Sequence, residues 1–441
     1  MSPDTYVDPA LTRPDLLVLQ RLLHDNEIAE KGAGPIGGGK TQAEDEKHDS
    51  AIELAEKIPL DDGSTIETLN ALNNPKHAEF EPTIFVLWDL KDINLPPFLN
   101  DYVLQPYIRW ARRTVRVETD VVMLTHLILY FTTSVPSALY LFHNFTYPHA
   151  ILHWIMQSYY VGTYNLMMHQ HIHMRGILAK KYWLFDQAFP YLLDPLFGHT
   201  WNTYFFHHVK HHHVEGNGPD DLSSTIRYQR DDIWNLLHYI ARFFFFIWFD
   251  LPLYFFGKGK YVTALKAGAS ETGTFALWYV LGSRVDFRAT LFAIIIEFVL
   301  LRIGLMVGNW GQHAFVDEIE PDSDFRSSIT LIDVASNRFC FNDGYHTSHH
   351  LNPLRHWRQH PVAFLKQKQQ YADEHALVFR NIDYIFITVR LMMKDYMHLA
   401  KCLVPIGDEQ RAMTMEERAA MLETKTRRFT EEEIRRKFKT G

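Results

Sequence analysis

The stretch His207-His208-Val209-Lys210-His211-His212-His213 puts five imidazoles into seven residues. Two other segments echo it: His169 and His173 stand four apart, and His346, His349 and His350 repeat the H-x2-H-H spacing of His208, His211 and His212. On an α-helix, positions i, i+3 and i+4 share a face, so each group would present its rings together. Neutral imidazole is the commonest protein ligand for a transition metal. His313 is a ninth candidate, with Asn309 one turn before it on the same face. A catalytic zinc takes three protein ligands and a structural zinc four, so nine imidazoles imply two metals with open positions. Imidazole suits Zn, Cu, Fe and Ni, so ligand type does not select the metal. The five-histidine run also admits a frame that uses His207 or His213; the frame taken here is His208, His211 and His212.

These residues need elements to carry them. Segments 121–142 and 150–168 are near the ~20 apolar residues that a membrane span requires, and only a short turn separates them. His169 and His173 follow directly on the second. Segments 233–256 and 289–307 read as a third and fourth span, the latter containing Glu297 and Arg302. The apolar piece 275–281 is too short to cross and is expected at the far interface. Residues 182–206, broken by Pro190 and Pro195, read as an interfacial helix pair. An even number of crossings is kept because two must separate His208 from His313 and His346 if all are to share a site. Aromatic residues beside arginines in 81–119 suit the headgroup level. Basic residues before the first span and after the second mark the histidine side as cytosolic.

The partition expected is a polar, partly flexible region 1–80, an interfacial segment 81–119, a membrane and metal core 120–360, and a cytosolic helical region 361–441. The fold class is all-α: an integral membrane helical bundle of about four spans under a cytosolic helical cap that carries the histidines. Residues 34–41 match G-x-x-x-x-G-K-T, but no buried strand precedes them, so a flexible linker is expected rather than a phosphate loop. Residues 354–400 read as soluble helix, and Thr430 with Glu433 would cap a solvated last helix. The net charge of −8 and pI near 6.3 give nothing for nucleic acid to bind. Two cysteines imply no disulfide framework. The first residues are polar and carry no apolar signal sequence.

The order H-x3-H, H-x2-H-H, N-x3-H, H-x2-H-H, interleaved with paired spans over about 120–360, resembles the membrane fatty acyl desaturase family and its hydroxylase relatives. The resemblance implies two non-haem iron ions held by His169, His173, His208, His211, His212, His313, His346, His349 and His350. Asn309 would support them through water. It also implies O2 as co-substrate, a double bond introduced into an acyl lipid or acyl-CoA, and an acyl tunnel beneath the metals. An unactivated methylene offers no handle to acid–base side chains, so the metals would carry the hard chemistry while the protein positions the chain. No His-Pro-Gly-Gly segment of a fused cytochrome b5 domain is present, so a separate donor is expected: cytochrome b5 with its reductase, or a ferredoxin. Location in the endoplasmic reticulum, with both termini cytosolic, follows from the same resemblance. Hydroxylase, epoxygenase or acetylenase outcomes share the site. A membrane metal transporter or a zinc hydrolase is the reading from a different class. Asp220, Asp221, Asp317 and Asp343 lie near the histidines in sequence; carboxylates so placed can orient ligand imidazoles, but the reading favoured for each is an ordinary loop acid.

Overall fold

The computed structural model of the chain describes residues 6–9, 11–32, 61–332, 334 and 336–438. The run 34–41, with its phosphate-loop pattern, lies outside the described residues. Helix α1 is Arg13–Gly32, α2 is Asp62–Asn73 and α3 covers 97–112. One face of α3 leaves Phe98, Tyr102, Val103 and Trp110 exposed. Helix α4, Val121–His143, widens to a π-turn over Tyr130–Ser134, because Pro136 has no amide to continue the α-ladder. Helix α5, Tyr147–Met174, returns alongside it, with Pro148 in its first turn. Tyr130, Tyr164 and Phe197 pack between them, Tyr164 stacking on Phe197 at 4.2 Å. Helix α6, Trp183–Leu193, contains Pro190 and passes into a 3-10 turn, Asp194–Phe197, where an interfacial helix pair is expected from sequence.

The chain then runs through α7, Phe205–His212, a π-helix, into α8, Ile233–Gly257, α9, Tyr261–Val280, and α10, Phe287–Gln312. The start of α10 lies beside the α4–α5 turn, Phe292 meeting Phe145 and Tyr147 about one ring-width away at 6.0 and 6.2 Å. Its end delivers His313. That pair of landmarks gives the bundle a histidine end and an opposite end.

Helix α8 has both its ends at the histidine end. Tyr239 Oη donates to the Ser223 carbonyl at 2.9 Å, while Tyr254 packs on the His211 ring at 4.2 Å and Lys258 reaches Asp220 at 2.9 Å. A helix from 239 to 258 is about 28 Å long. Both ends nevertheless meet the single loop 211–223, so α8 runs across the histidine end instead of away from it. Helix α9 makes the descent: Glu271 meets Arg302 partway along α10, and Trp278 packs on Phe298 at 4.9 Å. The piece 275–281, expected as an isolated interfacial segment, is therefore the end of a continuous 20-residue helix.

Among the described residues, three helices are long and apolar enough to cross a membrane: Val121–His143, Ile233–Gly257 and Phe287–Gln312. Helices α5 and α9, of 28 and 20 residues, have the length but carry more polar residues.

Strands β1, Ile329–Leu331, and β2, Leu377–Phe379, pair in parallel with Ile329 opposite Leu377. The all-α expectation misses this pair, and the helix expected across 378–393 divides into β2 and α12, Tyr384–Met392. Three residues buried on both faces produce no alternation to read. Helix α11, His346–Leu351, lies between the two strands in the chain. Helix α12 crosses α10 so closely that a Cβ on Gly311 would run into the Tyr384 carbonyl. Helices α1 and α2 share a core with this region through Val18, Leu22, Leu69, Phe364 and Tyr371.

The tail forms α13, Met415–Thr424, and α14, Glu431–Lys437, each opened by a threonine capping box, at Thr414 and Thr430. The last helix is not merely solvated: Ile434 and Phe438 are buried with Ile226, Val316 and Phe429. Arg230, wholly buried, donates to the carbonyls of Thr225, Ala314, Lys425 and Arg427 at 2.6–3.1 Å. One guanidinium thus ties the loops behind His212 and His313 to the tail.

Candidate metal centre

Four separated segments converge at the histidine end. The last two turns of α5 supply His169 and His173, α7 and its following residue supply His208, His212 and His213, His313 follows α10, and α11 supplies His346, His349 and His350. They sort into two groups: His169, His173, His208, His213 and His349 in one, and His212, His313, His346 and His350 in the other. Within the first, Nε2 of His169 lies 2.8 Å from that of His208 and 3.0 Å from that of His349. His213 Nε2 lies 3.1 Å from His208 Nε2 and 2.8 Å from His349 Nε2. In the second, His346 Nε2 lies 3.2 Å from His313 Nε2 and 3.1 Å from His350 Nε2.

Of the nine histidines expected from sequence, the structure brings eight together. His211 is the exception and His213 stands in its place. The reason is the local helix. His213 N donates to the His208 carbonyl, an i→i+5 bond, so α7 turns about 80° per residue rather than about 100°. At that pitch positions 208, 212 and 213 fall on one side. His207 and His211 turn away and form a separate three-residue group with Asp221. His211 Nε2 accepts the Leu222 amide at 2.8 Å instead of facing the other rings.

The donor set fits metal ions. Edge-sharing nitrogens bound at ~2.1 Å to one octahedral ion stand ~3.0 Å apart, and the Nε2 separations above lie around that value. Nε2 of His169, His208, His213 and His349 each faces two others, and one imidazole nitrogen carries a single hydrogen or a single lone pair, so hydrogen bonds between the rings do not account for all of these approaches. His173 Nε2 is buried without any partner, as a lone pair waiting for a cation would be. Burial, helped by the neighbouring imidazoles, holds His208, His213, His313, His346 and His349 well below the usual imidazole range. They are therefore neutral, the form a metal requires.

The rings of the second group are oriented from behind. His313 Nδ1 donates to the Ser327 carbonyl at 2.7 Å and His212 Nδ1 to Asp221 at 2.8 Å, which leaves each Nε2 free to face the group. His350 Nδ1 lies 3.5 Å from Asp324. Asp221 is itself held by the Ser223 amide and hydroxyl at 2.8 and 2.7 Å. Burial opposes its ionisation, but the His212 and His211 imidazoles outweigh that and keep it charged.

Asp221, read from sequence as a loop acid, is thus part of the site's support. Asp220 pairs with Lys258, Asp317 with Lys425, and Asp343 accepts from Gln312 at 3.0 Å. Asp324 escaped the sequence reading because its spacing from His350 carries no pattern. The Asn309 amide donates to the Ser223 carbonyl at 3.0 Å and to Tyr239 Oη at 2.6 Å.

A cavity of about 120 Å³ lies between α5, α8 and α10 and reaches His169 and His208 of one group and His212 and His346 of the other. Phe243, Ile247, Leu305 and Met306 form its apolar wall.

A helical protein with long apolar helices, and with two groups of imidazoles meeting over an internal cavity, is of the membrane metalloenzyme class. The chain belongs to the fatty acid desaturase family, whose model matches residues 146–381, more than half of its 441 residues, and whose members are O2-dependent oxidoreductases. No curated protein and no solved structure matches it.

Proposed function

We propose that this oxidoreductase introduces a carbon–carbon double bond into the acyl chain of a lipid or acyl-CoA, using two iron ions and O2. The observation that carries the reading is the meeting of nine imidazoles, in groups of five and four, over one cavity. His169, His173, His208, His213 and His349 would hold one iron, and His212, His313, His346 and His350 the other. When bound, the two irons supply the activation of O2 that removal of unactivated hydrogens demands. The protein's part is position and dryness. Phe243, Ile247, Leu305 and Met306 would seat the methylenes, and burial of the rings excludes bulk water. Asp221, Asp324 and the Ser327 carbonyl would fix ring orientation, and Asn309 would line the chamber beside them.

In a bilayer, α4, α5, α9 and α10 would make four crossings, while α8 would lie along the surface that carries the histidines. Two crossings still separate His208 from His313. Arg109, Arg112, Arg113, Arg175, Lys180 and Lys181 lie on that side, which would place it in the cytosol, with the endoplasmic reticulum as the membrane. The domain arrangement we favour is an interfacial segment through α3, a core to about 360, and terminal regions packed on the cytosolic cap. Electrons would come from a separate donor, cytochrome b5 with its reductase or a ferredoxin.

The test is expression in a lipid-producing host with a compatible donor, with lipid profiling against His349→Ala. New double bonds that vanish in the variant are expected. A product profile unchanged by the substitution, or one containing only hydroxylated chains, would overturn the assignment to desaturation.

A further inference from the structure

The cavity beneath the histidines is not uniformly apolar. About 10 Å farther along α10 than Asn309, its wall carries Arg302, with Asn165, His199, Thr200 and Thr203 around it. Arg302 forms an ion pair with Glu271 of α9; the exposures are 6% and 1%. Glu271 also accepts the hydroxyls of Thr200 and of Thr203, the latter at 2.6 Å. Ionisable groups inside membrane helices are costly and mark functional sites more often than structural ones. A chamber built only for methylenes would have no use for them.

Three residues of this wall each hold a buried polar atom with no hydrogen-bond partner: Arg302 Nη1, His199 Nε2 and Asn165 Oδ1. All three side chains are more than nine-tenths buried. Buried polar groups without partners are rare, and three on one cavity point to a ligand that completes them. Their chemistry describes it. Arg302 Nη1 only donates, Asn165 Oδ1 only accepts, and the imidazole can do either. The carboxylate of Glu271 already balances the guanidinium, so a second anion is not called for. Carried on a bound chain, the simplest neutral group that both accepts and donates is a hydroxyl.

We propose that the natural substrate is an acyl chain bearing a hydroxyl on the segment lying deepest in this cavity, held by Arg302 and Asn165. This rests on reading the cavity as the acyl site, and it names the class of chain that the site takes. The hydroxyl sets the register of the chain, because a uniform run of methylenes offers no other fixed point, and so decides which carbons lie under the metals.

The experiment measures binding to the full iron-loaded protein, without reductant and without O2, of octadecanoic acid and its mono-hydroxylated positional isomers. At least one isomer is expected to bind about ten-fold or more tightly than the plain acid. That preference should disappear in Asn165→Leu and in the paired variant Glu271→Gln/Arg302→Gln, which leaves no lone buried charge. Equal binding of all the acids, binding of none, or a preference that survives in both variants overturns the proposal. Double bonds formed in plain host chains without any hydroxyl preference would sink this inference alone. A hydroxyl preference in a protein that oxidises none of the acids would sink the desaturase reading and leave the recess standing.

Discussion

His211 and His213 differ by two positions in sequence and by their whole role in space. The i→i+5 bond at His213 swings that ring in among His169, His173, His208 and His349, and sends His211 to the Leu222 amide. His213→Ala is therefore expected to lose about half of the bound iron, measured by elemental analysis, while His211→Ala retains it. The reverse result would restore the α-helical frame. Behind the rings, Asp324 approaches His350 and Asp221 orients His212. Asp324→Asn should weaken metal binding by roughly 10–100-fold, read as iron lost to a chelator over time, with the helical signal in circular dichroism unchanged.

At the level of elements, the site is held together by the tail as well as by the bundle. Lys425 pairs with Asp317 four residues after His313, and Arg230 gathers carbonyls from both segments, those of Ala314 and Lys425. Burial alone would raise the Asp317 pKa, but the Lys425 ammonium and the amides of Ile319 and Glu320 outweigh it and hold it at about 2. The folded value lies below the ordinary carboxylate value, so this stabilisation is complete above about pH 4. It is lost as pH falls from there through about 2. A contribution on the order of 1 kcal/mol is expected after solvent screening. Amide hydrogen exchange across 415–438 should quicken over that window, and Asp317→Asn should remove the window.

For the molecule as a whole, the question is which helices cross. The α8 anchors at Ser223, His211 and Asp220 keep both of its ends with the histidines, and α9 takes the descent to the end marked by Phe145 and Phe292. In sealed vesicles of a cysteine-free background, Lys260→Cys should react with an impermeant maleimide from the same side as a label near His356. Ser283→Cys should react only after permeabilisation. Labelling of position 260 from the opposite side would restore α8 as the third span.

What the sequence determined by itself is the inventory: which residue types, how many, and in which chain order with apolar segments between them. Spacing along a chain is local information, so the clusters, the α4–α5 hairpin and the capping box at Thr430 were all readable. The π-pitch of α7, the direction of α8, the β1–β2 pair and the Arg302–Glu271 contact were decided only by tertiary structure. Each depends on residues far apart in the chain, and neither hydropathy nor helical periodicity reports how a segment is oriented or what packs against it. A 25-residue apolar helix reads alike whether it crosses a bilayer or lies beside it. The frame of five adjacent histidines changes with a small difference in pitch that composition does not encode.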